Sequence, residues 1–170
     1  MESPAADLRW TFLQRDVDGS IADLAAAIDL YALELTESGT EPRLRRQQEK
    51  AFQKFLQDGY SSVEKALIRV LDLFEEEVPT GRSWHPDLLA FATMPGPQRA
   101  GLARPAFAPR LSGDLETLRR FRHGAVHGYA GFNVAEAAPA VAAATRVVAA
   151  LPAATTAFGM ATGLLPPDAG

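Results

Sequence analysis

Apolar residues along this chain recur at steps of three and four. Leu13, Val17, Ile21, Leu24, Ile28, Tyr31 and Leu35 form one stripe, which predicts a long amphipathic helix. Gly19 lies inside it and leaves the phase intact, and Ser38-Gly39-Thr40 supplies a stop and turn. A second stripe runs through Phe52, Leu56, Tyr60, Val63, Leu67, Val70, Phe74 and Val78. Gly59 is a candidate break, and Ser61 with Glu64 has the spacing of a capping box for a fresh helix. The stripe keeps its phase across both, so one helix is predicted, ended by Pro79-Thr80-Gly81. Two long helices joined by a short turn make an antiparallel hairpin. No stretch alternates as a strand would.

Residues 80–113 read differently, because Pro86, Pro95, Pro97, Pro105 and Pro109 punctuate them. A short helix fits His85 to Thr93 and another fits near Gln98 to Ala103, with loop elsewhere. Such an insert is either a binding segment, as loops between rigid elements often are, or simply a long connection. Ser112-Gly113-Asp114 then opens a third main helix with Leu115, Leu118 and Phe121 facing inward. An alanine-rich last helix is expected from about Val134 to about Phe158, with Pro139 near its start and a kink at Pro152. Leu164 to Gly170 reads as a flexible tail. The expected fold is all-α: an antiparallel bundle of four to five helices, with a loop-rich insert before the third main helix, in a single domain over residues 1–163.

Composition narrows the chemistry. The 170 residues suffice for a core without staples. Cysteine is absent, which excludes disulfides, a thiolate zinc site and a cysteine nucleophile. The formal net charge of −4 is wrong for a protein that holds nucleic acid by bulk charge, so any RNA contact must come from a local basic patch. Met1 to Asp7 has neither a basic nor an apolar leader region, and a cytoplasmic location is expected. Val147 to Leu165 carries no charge and approaches spanning length. It consists largely of Ala, Thr and Gly with Pro152, residues that gain little from lipid, so no membrane span is expected.

The basic patch lies between Arg119 and Tyr129. This stretch holds Arg119, Arg120, Arg122, His123, His127 and Tyr129, and so two of the chain's three histidines. Arginine binds phosphate through a planar fork of donors. Imidazole moves protons near neutral pH. Cleavage of RNA by its own 2′-hydroxyl needs a base, an acid and a cation to stabilise charge on phosphorus, and no metal. His127 is the candidate proton shuttle and Arg122 the candidate phosphate ligand. On a regular helix residues five apart diverge by about 140°, so Arg122 and His127 do not converge unaided. His123 and His127, four apart, share a face. Gly124 and Gly128 flank Ala125 on a small-residue face that admits a second backbone, so a dimer with two motifs in one cleft is expected. Alternatives remain at this point. His123 and His127 have the spacing of a zinc pair, although Glu116 and Glu136 are distant in sequence as third ligands. The arginines also have a plain surface reading, paired with carboxylates such as Glu75, Glu76 and Glu77. Glu64 is a candidate partner for a motif arginine. His85 is either a third polar group at the cleft or a ligand of a loop carbonyl. Trp84 is a candidate pin between insert and bundle.

Arg122-His123-Gly124-Ala125-Val126-His127 resembles the Arg-polar-x-x-x-His signature of the HEPN superfamily, and its extension His127-Gly128-Tyr129 resembles the HepT toxins of HEPN/MNT toxin–antitoxin modules. Tyr60-Ser61-Ser62-Val63-Glu64, Trp84-His85-Pro86-Asp87-Leu88-Leu89, Arg104-Pro105 and Leu118-Arg119-Arg120-Phe121-Arg122-His123 are similar to a HepT-like pattern in the same order, over roughly residues 50–135. The resemblance implies a helical bundle acting as a metal-independent ribonuclease, without cofactor, in a homodimer with a composite site. It implies Arg122 and His127 as the catalytic pair and His123 as the supporting polar residue. From the residues themselves, Arg119, Arg120, Glu64 and His85 are candidate substrate-binding or supporting groups. The resemblance also implies a partner, an MNT-type nucleotidyltransferase antitoxin that places AMP on Tyr129 and so blocks RNA entry by bulk and charge. One departure is Val126, where the family often carries a further arginine before the motif histidine. A non-catalytic HEPN module that dimerises and holds a nucleotide or a partner is the alternative function.

Overall fold

The computed structural model describes residues 8–35, 39–98, 103–127 and 133–165, and of residues 34, 123–127 and 134 the backbone alone. Among the described residues five α-helices follow in order: α1 (Leu8–Leu30), α2 (Pro42–Asp72), α3 (Trp84–Thr93), α4 (Ser112–His127) and α5 (Val134–Ala161). No strand occurs among the described residues. The expected all-α bundle is therefore present.

The first stripe folds as expected. Leu13, Val17 and Leu24 are buried, and the helix runs on from α1 through a π-helical turn, Tyr31–Leu35. The second stripe folds as one helix across Gly59, with Phe52, Leu56, Tyr60, Val63, Leu67 and Val70 buried. It begins earlier than its apolar stripe, at Pro42, where Glu41 caps the Leu44 amide at 3.0 Å and the proline needs no amide partner. Pairs across the two helices fix their direction. Asp16 bonds Arg69, Gly19 faces Ser62 and Gly59 faces Leu24, and the Arg45 Nη2 donates to the Leu35 carbonyl at 2.6 Å. One number rises as the other falls, so the hairpin is antiparallel. Gly59 makes the close crossing possible, because a Cβ there would stand 2.8 Å from Leu24 side-chain carbons.

α2 stops at Asp72, short of the expected Pro79. Glu75 takes a left-handed conformation, φ 53°. The Glu76 amide returns to the Leu71 carbonyl at 3.0 Å and the Glu75 amide to Asp72 at 3.2 Å. This is a Schellman stop with a glutamate in the place glycine usually takes. Phe74 and Val78 still pack on the core, from outside the helix. Apolar phase thus outlasted helical backbone, which is why the stripe alone overran the end.

The insert is held more firmly than its prolines suggested. Arg104 has a side chain only 1% exposed. It bonds Glu76 through Nε at 2.7 Å and donates to the Phe91 and Ala92 carbonyls at 2.8 and 3.1 Å. Those carbonyls belong to the last turn of α3, which has no helical donors for them. One arginine therefore caps α3 and ties it to the exit of α2. Glu76 is consequently a partner in a buried ion pair. The helix expected near Gln98 to Ala103 lies mostly outside the described residues, and Gln98 and Ala103 themselves are not helical.

α4 starts where Ser112 predicts and lays Leu115 and Leu118 into the core. Phe121 meets Phe52 edge-on, 6.1 Å between ring centres, and Phe52 in turn lies 5.7 Å from Tyr31. That aromatic line docks the middle of α4 on the hairpin. α5 packs against α1 and α4 and buries Ala137, Ala140, Ala143, Ala144, Val147, Leu151 and Phe158. By length and composition its Ala135–Ala161 segment is apolar enough to cross a bilayer. Within the bundle it sets one face into the core, and midway along it Arg146 pairs with Asp114 of α4 at 2.7 Å. Leu164 and Leu165, the start of the expected tail, pack on the core and return their amides to the Gly159 carbonyl at 2.9 and 3.0 Å. Residues 166–170 lie outside the described residues.

Candidate functional site around Arg122

Leu115, Leu118 and Arg122 follow one another at helical steps of three and four, so the motif arginine occupies the core-facing stripe of α4. Across from it, Tyr60, Glu64, Leu67 and Leu71 follow the same rule on α2. A cation and an anion thus face each other at positions where the packing rule calls for apolar side chains. They meet: Arg122 Nη1 donates to Glu64 Oε2. The Glu64 side chain is 6% exposed and that of Arg122 is 26% exposed. Burying a carboxylate is tolerable only when it is paired and bonded, and Glu64 has partners on both oxygens. Its Oε1 is bonded to His85 Nδ1.

His85 sits in the first turn of α3. Its ring stacks on that of Trp84, with centroids 3.6 Å apart and planes 29° from parallel. His85 thus bonds a carboxylate of α2 and not a loop carbonyl. Trp84 holds the imidazole plane, a role that sequence reasoning placed more loosely as a pin.

Below Arg122 lies Tyr60, buried, with its ring centre 5.9 Å from the guanidinium carbon. The Tyr60 hydroxyl has no hydrogen-bond partner among the described residues. Burial first, and then the Glu64 charge, push it well above the usual phenol range, so it remains a neutral donor beneath the arginine.

Arg119 and Arg120 go elsewhere. Arg119 chelates Glu116 through Nε at 2.7 Å and Nη2 at 2.8 Å, and Arg120 Nε bonds the same carboxylate at 2.8 Å. The two hydrogen-bonded guanidiniums, Arg119 first, hold the Glu116 carboxyl down at about 2, against burial. The carboxylate that pairs with both is Glu116 on their own helix and not Glu75, Glu76 or Glu77. Spacings of three and four were the signal available in sequence for this.

The structure thus brings Arg122, Glu64 and His85 together from three helices and sets Arg119, Arg120 and Glu116 beside them on α4. The helix continues through His123 and His127, whose side chains are outside the described residues, as is Tyr129 altogether. Among the described residues, no group of three or more histidine and acidic side chains is placed to hold a metal ion. What the described part offers is a fixed guanidinium with an imidazole on the same carboxylate, a pair suited to grip a phosphate and to move a proton beside it.

No curated protein and no solved structure matches the chain. The family model of the HepT-like proteins matches residues 51–162, more than half of the chain, from within α2 to the end of α5. The chain belongs to the HepT-like family of the HEPN superfamily.

Proposed function

We propose that this protein is a metal-independent ribonuclease toxin of a HEPN/MNT toxin–antitoxin module. The observation that carries the reading is the Glu64 carboxylate, which holds the motif arginine Arg122 on one oxygen and His85 on the other. A guanidinium oriented before substrate arrives stabilises charge on phosphorus without reorganising. In the reaction a histidine takes the proton from a ribose 2′-hydroxyl, and the freed oxygen attacks the adjacent phosphorus. The bond to the 5′-oxygen breaks, and that oxygen receives a proton. The products are a 2′,3′-cyclic phosphate and a 5′-hydroxyl. Arg122 binds and stabilises the phosphate, His127 transfers a proton and His123 assists. Two copies of α4 in a homodimer complete the site. The partner nucleotidyltransferase neutralises it by transferring AMP from ATP to the Tyr129 hydroxyl, with release of pyrophosphate.

Incubation of the purified protein with total RNA tests this. Cleavage is expected for the wild type, with 2′,3′-cyclic phosphate ends, and is expected to vanish in Arg122→Ala and His127→Ala. RNA left intact by the wild type, or cleaved equally by both variants, ends the reading.

One observation favours a second reading, a non-catalytic dimer module that holds a nucleotide or partner. Arg119, Arg120 and Arg122 are all paired with carboxylates, Glu116 and Glu64, and paired arginines leave less charge for a long RNA. Tight nucleotide binding without cleavage distinguishes this module from the enzyme.

A further inference from the structure

We propose that His85, from the insert helix α3, is a catalytic residue of this site: its Nε2 is the base that takes the 2′-hydroxyl proton, leaving His127 to protonate the 5′-oxygen. The assignment rests on the ribonuclease reading and adds to it the second proton-transfer group that the reaction requires.

The argument is geometric. A carboxylate oxygen only accepts hydrogen bonds, so in the bond to Glu64 Oε1 the hydrogen sits on His85 Nδ1. In the uncharged ring the lone pair is then on Nε2. Nε2 has no partner among the described residues, and the His85 side chain is 32% exposed, so this nitrogen is open to a ligand. The ring cannot swing away, because Glu64 fixes one edge and Trp84 stacks on one face. Glu64 is itself nearly buried and anchored by Arg122 on its other oxygen. A carboxylate that fixes the tautomer and orientation of a histidine, whose far nitrogen then takes a proton, is the arrangement that activates hydroxyl nucleophiles in hydrolases. A purely structural histidine would satisfy Glu64 equally well with both nitrogens used inside the protein. Here one nitrogen is left open, beside the arginine that grips the phosphate. Because Arg122 and His85 share one carboxylate, a phosphate on Arg122 brings its ribose next to His85. The reacting 2′-oxygen is four bonds from that phosphorus, through C2′, C3′ and O3′, and closes a five-membered ring when it attacks.

The test uses the full-length protein and two versions of a short RNA, one natural and one with sulfur in place of the 5′-bridging oxygen. A sulfur leaving group departs without a proton, so it removes the need for the acid but not for the base. His85→Asn keeps an amide nitrogen where Nδ1 was and lacks a transferable proton site. It is expected to cleave both substrates at least about 100-fold more slowly than wild type. His127→Ala is expected to be slow on the natural RNA and restored on the sulfur substrate. For His85→Ala, added free imidazole is expected to raise the rate in proportion to its concentration, which a folding defect would not do. Melting curves check that each variant is folded. Wild-type rates in His85→Asn overturn the assignment, as does its rescue by the sulfur leaving group or the absence of imidazole rescue in a folded His85→Ala. If wild type cleaves and Arg122→Ala does not, those outcomes remove His85 alone. A wild type that leaves RNA intact removes the ribonuclease reading and this assignment together.

Discussion

Glu64 of α2 and Arg122 of α4 lie 58 residues apart and close an ion pair at the centre of the site. The carboxylate is the more buried partner, and it is saturated by donors, Arg122 on one oxygen and His85 on the other. Replacing it by an amide therefore has an asymmetric effect. In Glu64→Gln one acceptor becomes a donor. The guanidinium has only donors and must keep the remaining oxygen. His85 can turn to the other tautomer and accept at Nδ1, which places its hydrogen on Nε2. The bonds survive while the orientation of the proton is wrong. The expected outcome is a small loss of stability, about 1–2 kcal/mol in urea unfolding because Arg122 keeps access to water. RNA cleavage should fall by about 100-fold or more, the behaviour of a histidine held in the wrong tautomer. Equal, proportionate losses in both measurements would mean that Glu64 serves the fold alone.

The hairpin was legible in the sequence because its apolar stripes are long and unbroken, and α4 because Leu115, Leu118 and Phe121 follow a serine start. The Arg122–Glu64 pair was legible in part. Each charge interrupts an apolar face at a core-facing step, and a buried charge needs a partner, but one chain without distances cannot say which of several charges will meet. His85 shows the limit most clearly. Nothing in Trp84-His85-Pro86 says where the first turn of α3 will land, since that is decided by Arg104 closing the insert on Glu76. The end of α2 was missed for a different reason, because a left-handed Glu75 leaves no mark in composition.

Two glycines of the hairpin should respond to alanine with opposite signs. At Gly59 a Cβ would stand 2.8 Å from Leu24 Cγ and Cδ2 and 3.2 Å from the Leu24 backbone nitrogen. Side chain and backbone would both have to give, so Gly59→Ala is expected to cost about 1–3 kcal/mol. At Gly19 the nearest atom is the Ser62 hydroxyl at 3.8 Å, an ordinary contact. Gly19→Ala should gain about 0.5–1 kcal/mol from helix propensity. Chemical denaturation of the two variants checks the pair, and a gain at Gly59 would contradict the close crossing.

The stop of α2 predicts an order of stability between two variants. Glu75 adopts φ 53°, a conformation that is strained for a residue with a Cβ and free for glycine. The Schellman bonds use the backbone alone, so they persist without the side chain. Glu75→Gly and Glu75→Ala lose the same side chain, but only alanine keeps a Cβ in the left-handed conformation, so the glycine variant is expected to be the more stable of the two by about 0.5–1 kcal/mol. A higher thermal midpoint for Glu75→Gly than for Glu75→Ala is the result to look for, and the reverse order would contradict the left-handed stop.

Glu116 links stability, pH and RNA affinity. Its carboxyl is held at about 2 in the folded protein against 4.5 unperturbed, chiefly by the hydrogen bonds from Arg119. A lowered folded value means that the stabilisation is complete above about pH 4.5 and fades as pH falls from there toward 2. Glu116→Gln should therefore be less stable than wild type at pH 7, by roughly 1 kcal/mol once solvent screening is allowed for, and the gap should close in acid. The same substitution releases Arg119 and Arg120 from a carboxylate they now share. On the ribonuclease reading, two more cations then face the phosphates. RNA should bind more tightly at low salt, and the dependence of log K on log salt should steepen by about one to two, since each phosphate neutralised adds about one to the slope. Filter binding across a salt series measures this. Weaker binding in Glu116→Gln would mean that the Glu116 carboxylate holds Arg119 and Arg120 in the geometry that RNA requires, and so orients the patch as well as neutralising it.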